Sequence, residues 1–128
     1  TRNLLEQCDT AGVRRFVFIT VIGAGDSYDT APLPARQALK EVIELKTRAE
    51  NHLKVSGLDY TIIRPGGLGA GKATAKAFLT EDREAFSYIS RNDLAALTVA
   101  ALGDANTIGK TYAAYDPERR TLWKGFND

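Results

Sequence analysis

Two glycine-rich segments and one lysine are the residues of this chain whose types and spacing could do chemistry. Gly66 and Gly71–Lys72, inside RPGGLGAGKAT (residues 64–74), have the GxxxxGK spacing of a loop that cradles triphosphate oxygens. That chemistry needs Ser or Thr directly after the lysine, because the hydroxyl coordinates Mg²⁺. Here the position is Ala73, and Thr74 comes one place late. A helix should also open at the Gly-Lys pair so that its N-terminus faces the phosphates, and no second strand ending in a magnesium-binding Asp is evident. The segment reads as a glycine loop after a strand. GAGDSY (23–28) begins like the dinucleotide pattern GxGxxG, but Tyr28 stands at the third glycine, and Pro32 and Pro34 precede any helix. A pyrophosphate loop opens directly into a helix, so Gly23, Gly25 and Asp26 read as a tight turn.

Lys46 is the third candidate. Leu39, Val42, Ala49 and Leu53 recur at helical spacing and define an apolar stripe, and Lys46 fills its gap. A lysine on a packed face pays desolvation unless it finds a partner or reaches water. Either it snorkels at the edge of the stripe, or it points into a cleft. The helix follows a loop at the carboxyl end of a strand, where open α/β sheets place ligands. His52, the one histidine, falls on the polar side of the stripe, which leaves no partner set for nucleophilic or metal chemistry. Cys8 on an apolar helix face reads as core packing.

The elements that would position these residues follow from periodicity. Residues 1–11 put Leu4, Leu5 and Cys8 on one helical face, and Gly12 ends the helix. Residues 13–22 (VRRFVFITVI) and 58–64 (LDYTIIR) have the near-continuous apolar character of strands buried on both faces of a parallel sheet. A loop over 23–34 leads to a long helix over 35–56, stopped by Gly57. The loop 65–72 leads to a helical stretch, ATAKAFL (73–79), then a turn at 80–84 and a short strand at 85–89. Ser90 caps a helix over 91–102, with Asp93 in the first turn where the dipole favours a carboxylate. A last strand runs over 110–116, and 117–128 is a polar tail containing Trp123. Alternating helices and buried-type strands predict a parallel α/β sheet with flanking helices.

Composition limits the function classes. The 128 residues suit one domain, with 44% hydrophobic and 26% charged residues. Seventeen basic against 16 acidic residues give a net charge of +1 and no electrostatic case for nucleic acid or an anionic membrane. Apolar runs fall far short of the roughly 20 residues that span a bilayer. One cysteine excludes an internal disulfide and fits a reducing, cytoplasmic compartment. The chain contains no Met and opens within a helical pattern, with no recognisable signal peptide, so a piece of a longer protein is expected.

In combination, AGVRRFVFITVIGAG, LKTRAENHLKVSGLDYTIIRPGGL and YISRNDLAALTVAAL resemble the carboxyl-terminal half of the atypical short-chain dehydrogenase/reductases. These are the NAD(P)H-binding, NmrA-like proteins, and the resemblance covers about residues 2–115. It implies a Rossmann-like fold, with residues 1–128 as the C-terminal portion of a single NAD(P)-binding domain that lacks the N-terminal βαβαβ half. It also implies NAD(P) as cofactor and a small-molecule substrate. Thr20 and Val21 match the family's Ser-Ser position at the end of a strand. Lys46 matches the lysine that holds the nicotinamide ribose, and Pro65, Gly66, Gly67 and Leu68 match the loop beside the nicotinamide. The segment at 69–72 falls where relatives often carry a similar glycine-lysine sequence. Two departures bear on catalysis. Val42 stands four residues before Lys46, where active members have Tyr, and valine has no proton to transfer. Val21 replaces a serine that would orient substrate. The resemblance implies an oxidoreductase passing a hydride to a small acceptor, or alternatively a non-catalytic NAD(P)-binding regulator or complex subunit. Strands missing from the first half would leave a sheet edge open to self-association.

Overall fold

The computed structural model describes residues 2–69 and 71–120; the tail with Trp123, and Ala70 within the 69–72 segment, lie outside the described residues. Helix α1 (Arg2–Ala11) leads into strand β1 (Arg15–Ile19). A short 3₁₀ turn (Gly25–Ser27) precedes α2 (Leu33–Ala38) and α3 (Lys40–Lys54). Strand β2 (Asp59–Pro65) follows, then the short β3 (Leu68–Gly69) and β4 (Phe78–Thr80). The two-residue β5 (Ile89–Ser90) runs into α4 (Arg91–Leu102), and β6 (Lys110–Tyr115) completes the sheet.

The main sheet has the order β1-β2-β6-β4. Strand β1 pairs in parallel with β2, and β2 in parallel with β6, while β4 runs antiparallel on the far edge. Helices α1 and α3 cover one face around Leu5, Cys8, Leu53, Leu58 and Ile62. Helix α4 covers the other around Ile63, Ile89, Leu94, Ala101 and Ala114. Leu53, Ile62 and Ile63 are fully buried, and each such side chain contributes about 1.5–3 kcal/mol relative to exposure. The expected parallel α/β sheet with flanking helices is present. Strand β1 is its one unexpected surface. All five residues of RFVFI are only half buried, because β1 is the sheet's edge strand among the described residues.

Three local expectations are corrected. The helix over 35–56 is two helices, broken at Leu39 (φ −112°, ψ 16°), and it starts earlier, with Pro34 tolerated in the first turn. The buried face of α3 is Ile43, Ala49, Glu50 and Leu53. Ala49 and Leu53 of the expected stripe are buried, but Val42 is 42% exposed, and Ile43 takes the buried position there. Residues 73–79 form no helix. The backbone N–H groups of Thr74 and Ala75 donate to the Asp93 carboxylate (2.9 and 3.2 Å), and Ala75 adopts φ +58°. A side-chain acceptor has replaced the carbonyls a helix would use, and the chain runs extended into β4. The strand expected over 85–89 shrinks to β5.

The cap of α4 is as expected. The Ser90 hydroxyl accepts the Asp93 N–H at 3.0 Å and donates to its carboxylate at 2.8 Å. Burial pushes the Asp93 pKa up, but donation from Thr74, Ser90 and Ala75, with the charge of Arg119, more than offsets this and holds it below its ordinary 3.8. A depressed carboxylate contributes stability that is present above its unfolded pKa and lost as pH falls through the folded one. The chain should therefore lose stability on acidification below about pH 4. Asp93→Asn should flatten that acid limb, as read from urea midpoints against pH.

Candidate functional site

Strands β1 and β2 end side by side, and their pairing continues past the strands. The Thr20 N–H donates to the Ile63 carbonyl and the Ile22 N–H to the Pro65 carbonyl, both at 2.9 Å. Residues 20–22 are thereby held against 63–65 at the carboxyl ends of the parallel strands. This is where two loops diverge and leave a crevice in open α/β sheets.

A buried ion pair fixes the two loops to α3. Glu50 on α3 is fully buried, and Arg64 near the end of β2 is 3% exposed. The guanidinium grips the carboxylate through two bonds, Nη2 to Oε1 at 2.7 Å and Nε to Oε2 at 3.0 Å. The Thr20 hydroxyl donates to the same Oε2 at 2.7 Å, and Arg64 Nη1 reaches the Asp26 carboxylate. Burial works to raise the Asp26 pKa, but the Arg64 hydrogen bond and charge, with Lys54 and Arg83 behind them, hold it below the ordinary carboxylate value. Arg64 is itself pushed up, because Glu50 and Asp26 outweigh its desolvation. Gly25 lets this happen. It adopts φ +56°, its N–H donates to the Thr47 hydroxyl at 3.0 Å, and a Cβ there would lie 2.5 Å from Arg64 Nη2.

The predicted residues divide into three groups. Thr20 and Val21 stand beside 63–65, as the ladder requires. The Thr20 hydroxyl is turned toward Glu50, and Val21 offers only an apolar side chain. Pro65 is buried, and Gly66 and Gly67 follow it without side chains. A Cβ on Gly66 would collide with the Ser87 carbonyl oxygen, so only glycine fits there. The Gly67 carbonyl accepts the Ile89 N–H at 3.0 Å, and Leu68, 41% exposed, pairs with Ile89. Lys46 sits apart on α3, half buried, with Nζ 5.2 Å from the centre of the Phe18 ring. It lines a shallow surface depression with Val42, Leu45, Arg48, Ala49 and His52. Among the described residues no carboxylate pairs with it.

Glu50 and Arg64 were missed as a pair. The available signal was an acidic residue one turn before Leu53 on the packed face, together with an arginine inside a buried strand. Two charges that cannot be solvated need each other. Lys46 drew attention instead because the stripe was drawn through Val42.

A sequence model of the NAD(P)H-binding family matches residues 1–105. The chain belongs to that family. YhfK of Bacillus subtilis, described as an uncharacterized sugar epimerase, is 33% identical over 108 residues, covering 84% of this chain and 48% of that protein. The photosystem II assembly factor Ycf39 of Guillardia theta is 31% identical over 117 residues, covering 84% of this chain and 34% of that protein. The solved structure of ChuY, an anaerobillin reductase from Escherichia coli O157:H7, matches with a TM-score of 0.83 at 34% identity, over 91% of this chain and 57% of that one. The chain thus spans about a third to a half of these curated relatives. The fold of this family member is Rossmann-like, and it carries an NAD(P)H-binding domain. Gly66 and Gly67 follow the buried Pro65 without side chains, and Lys46, on a separate element, has no carboxylate partner among the described residues. Backbone without side chains and a cation without a carboxylate partner are chemistry that suits a polyhydroxylated cofactor. Among the described residues no helix is long and apolar enough to cross a membrane, and no cluster of His, Cys, Asp or Glu could hold a metal ion.

Removing one partner of a buried ion pair leaves the other charge stranded, whereas replacing both with apolar groups need not. Arg64→Met should lower the unfolding free energy by about 3–5 kcal/mol. Glu50→Leu combined with Arg64→Met should recover a large part of that loss, measured by urea denaturation of all four members of the cycle.

Proposed function

We propose that residues 1–128 are the C-terminal portion of a single NAD(P)-binding Rossmann-like domain, in an oxidoreductase of the atypical short-chain dehydrogenase/reductase type. The reaction is hydride transfer to a small-molecule acceptor. The observation that carries this reading is the junction at the carboxyl ends of β1 and β2, where the Glu50–Arg64 pair sets residues 20–26 against residues 64–68.

Each residue then has a defined task. Lys46 binds hydroxyls of the nicotinamide ribose, for which an ammonium with three donors and no carboxylate partner is suited. Residues 65–68 form the wall beside the nicotinamide, where Gly66 and Gly67 allow close backbone approach. Thr20 holds the loop after β1 by donating to Glu50, and Val21 makes the mouth apolar. When bound, NAD(P)H supplies the hydride, and the protein orients donor and acceptor. The side chain at position 42 has no proton to give and is partly exposed, so tyrosine-based acid catalysis has no place here. The acceptor is therefore one that needs no such proton, such as a flavin or quinone. The similarity to ChuY, whose name is that of a reductase, supports this class.

A second reading has its own support. Val42 and Val21 both remove groups that a turnover site uses, and Ycf39 is named as an assembly factor. On that reading the domain binds NAD(P)H within a regulator or complex subunit.

The test uses the complete protein. NADPH binding, followed by nucleotide fluorescence, should be saturable, and Lys46→Ala should weaken it by about tenfold, the scale of one charge-assisted hydrogen bond. NADPH oxidation with a panel of flavins and quinones separates the two readings. An absence of NADPH binding would remove both, and an affinity unchanged in Lys46→Ala would remove the role given to that lysine.

A further inference from the structure

The segment Gly71–Ala75 and the helix opening ISRND each stood out in the sequence, and the site described so far uses neither. The structure joins them. Asp93, buried in the first turn of α4, accepts the Thr74 N–H at 2.9 Å and the Ala75 N–H at 3.2 Å on its two oxygens. Asp116, fully buried just beyond β6, accepts the Thr74 hydroxyl at 2.6 Å. The second oxygen of Asp116 accepts the Glu118 N–H at 2.9 Å, and its backbone N–H donates to the Ser87 hydroxyl at 2.8 Å. Arg119 Nη2 donates to the Lys72 carbonyl at 2.8 Å, and the Arg119 carbonyl accepts the Tyr88 N–H at 2.9 Å.

Residues 71–73, 75 and 76 are exposed and bury little. A loop that buries so little gives the core little in return for two buried carboxylates, whose desolvation is costly. Their geometry acts on the path of this loop. The same segment, 87–90, also backs the glycine mouth. The Ser87 carbonyl stands against Gly66, and the Ile89 N–H donates to the Gly67 carbonyl. One wall thus sets both the nicotinamide loop at 65–68 and the strap at 71–75. The two are separated by only two residues of chain, so they cannot move far independently.

We propose that Asp93 and Asp116 are positioning residues that act through Thr74: by gripping it from two sides they fix residues 71–75 as the acceptor-side wall of the site. This rests on the oxidoreductase reading and deepens it. The grip governs where the acceptor sits, while the ribose contact at Lys46 is on another element and is left alone.

The test is NADPH oxidation by the complete protein with FMN and with menadione as acceptors, comparing the parent with Thr74→Val and Thr74→Ser. Valine keeps the volume and the backbone N–H but removes the hydroxyl bond to Asp116; serine keeps that bond. The acceptor KM should rise about tenfold in Thr74→Val, with kcat and NADPH affinity within about twofold, and Thr74→Ser should return to the parent value. If Thr74→Val does not fold, Thr74→Ala, which also removes the hydroxyl and keeps the backbone N–H, carries the same comparison. Turnover with an unmoved acceptor KM overturns this inference alone, as does a parallel loss of NADPH affinity, which marks a general loosening of the fold. A parent that binds NADPH but reduces neither acceptor also overturns it, since there is then no acceptor side to shape. A parent that does not bind NADPH removes the reading of function and this inference together.

Discussion

The mouth of this fold depends on one buried contact, the bidentate pair between Glu50 and Arg64. Neither charge can be hydrated where it lies, so each is tolerable only with the other in place. The geometry is demanding. A planar guanidinium meets a carboxylate through two parallel bonds only over a narrow range of positions. Helix α3, the end of β2 and the loop after β1 are therefore fixed relative to one another, with Thr20 and Asp26 completing the set. Hydrophobic packing on its own would tolerate some sliding of a helix over a sheet. The ion pair removes that freedom at the carboxyl end of the sheet.

The polar groups of the described residues gather at the carboxyl ends of the strands in two knots. One centres on Arg64 and holds the loops after β1 and β2; the other centres on Thr74 and holds the strap beyond. At Gly25 a Cβ would meet the Arg64 and Glu50 atoms that form the first knot, and at Gly66 it would meet the Ser87 backbone. The amino ends of the strands are tied differently. There Arg15 Nη2 donates to the Thr61 hydroxyl, the Ala101 carbonyl and the Thr107 hydroxyl at 2.8–2.9 Å, joining β1 to β2 and the end of α4. That end is bound up by neutral acceptors and buries no carboxylate in this set, which fits a role confined to holding the sheet together.

Much of the fold was legible because its signals are local. The apolar runs around Phe16–Phe18 and Ile62–Ile63 mark strands, although only the second is fully buried, and Ser90 with Asp93 announces a helix start. What was illegible depended on partners distant in sequence. Residues 73–79 look helical by composition, but Asp93, some twenty positions later, takes the N–H groups of Thr74 and Ala75. The apolar stripe of α3 departs from the buried face at two positions, since Val42 is apolar and exposed while Glu50 is charged and buried. Binary patterning assigns both wrongly, since the buried charge is paid for by an arginine on another element. The nicotinamide role of residues 65–68 and the ribose role of Lys46 rest on family resemblance; periodicity marks Lys46 only as a lysine in an apolar stripe, and local physics alone does not distinguish the loop from any other after a strand.

In the proposed site, residues 65–68 and Lys46 meet the nicotinamide end of NAD(P)H from the two sides of the β1–β2 junction. The structure of the complete protein with NADP⁺ bound tests it most directly. The nicotinamide should lie against the backbone of Pro65, Gly66 and Gly67, with a ribose hydroxyl about 3 Å from Lys46 Nζ, drawn away from the Phe18 ring. A nicotinamide seated elsewhere, with Lys46 still lying over Phe18, would contradict it.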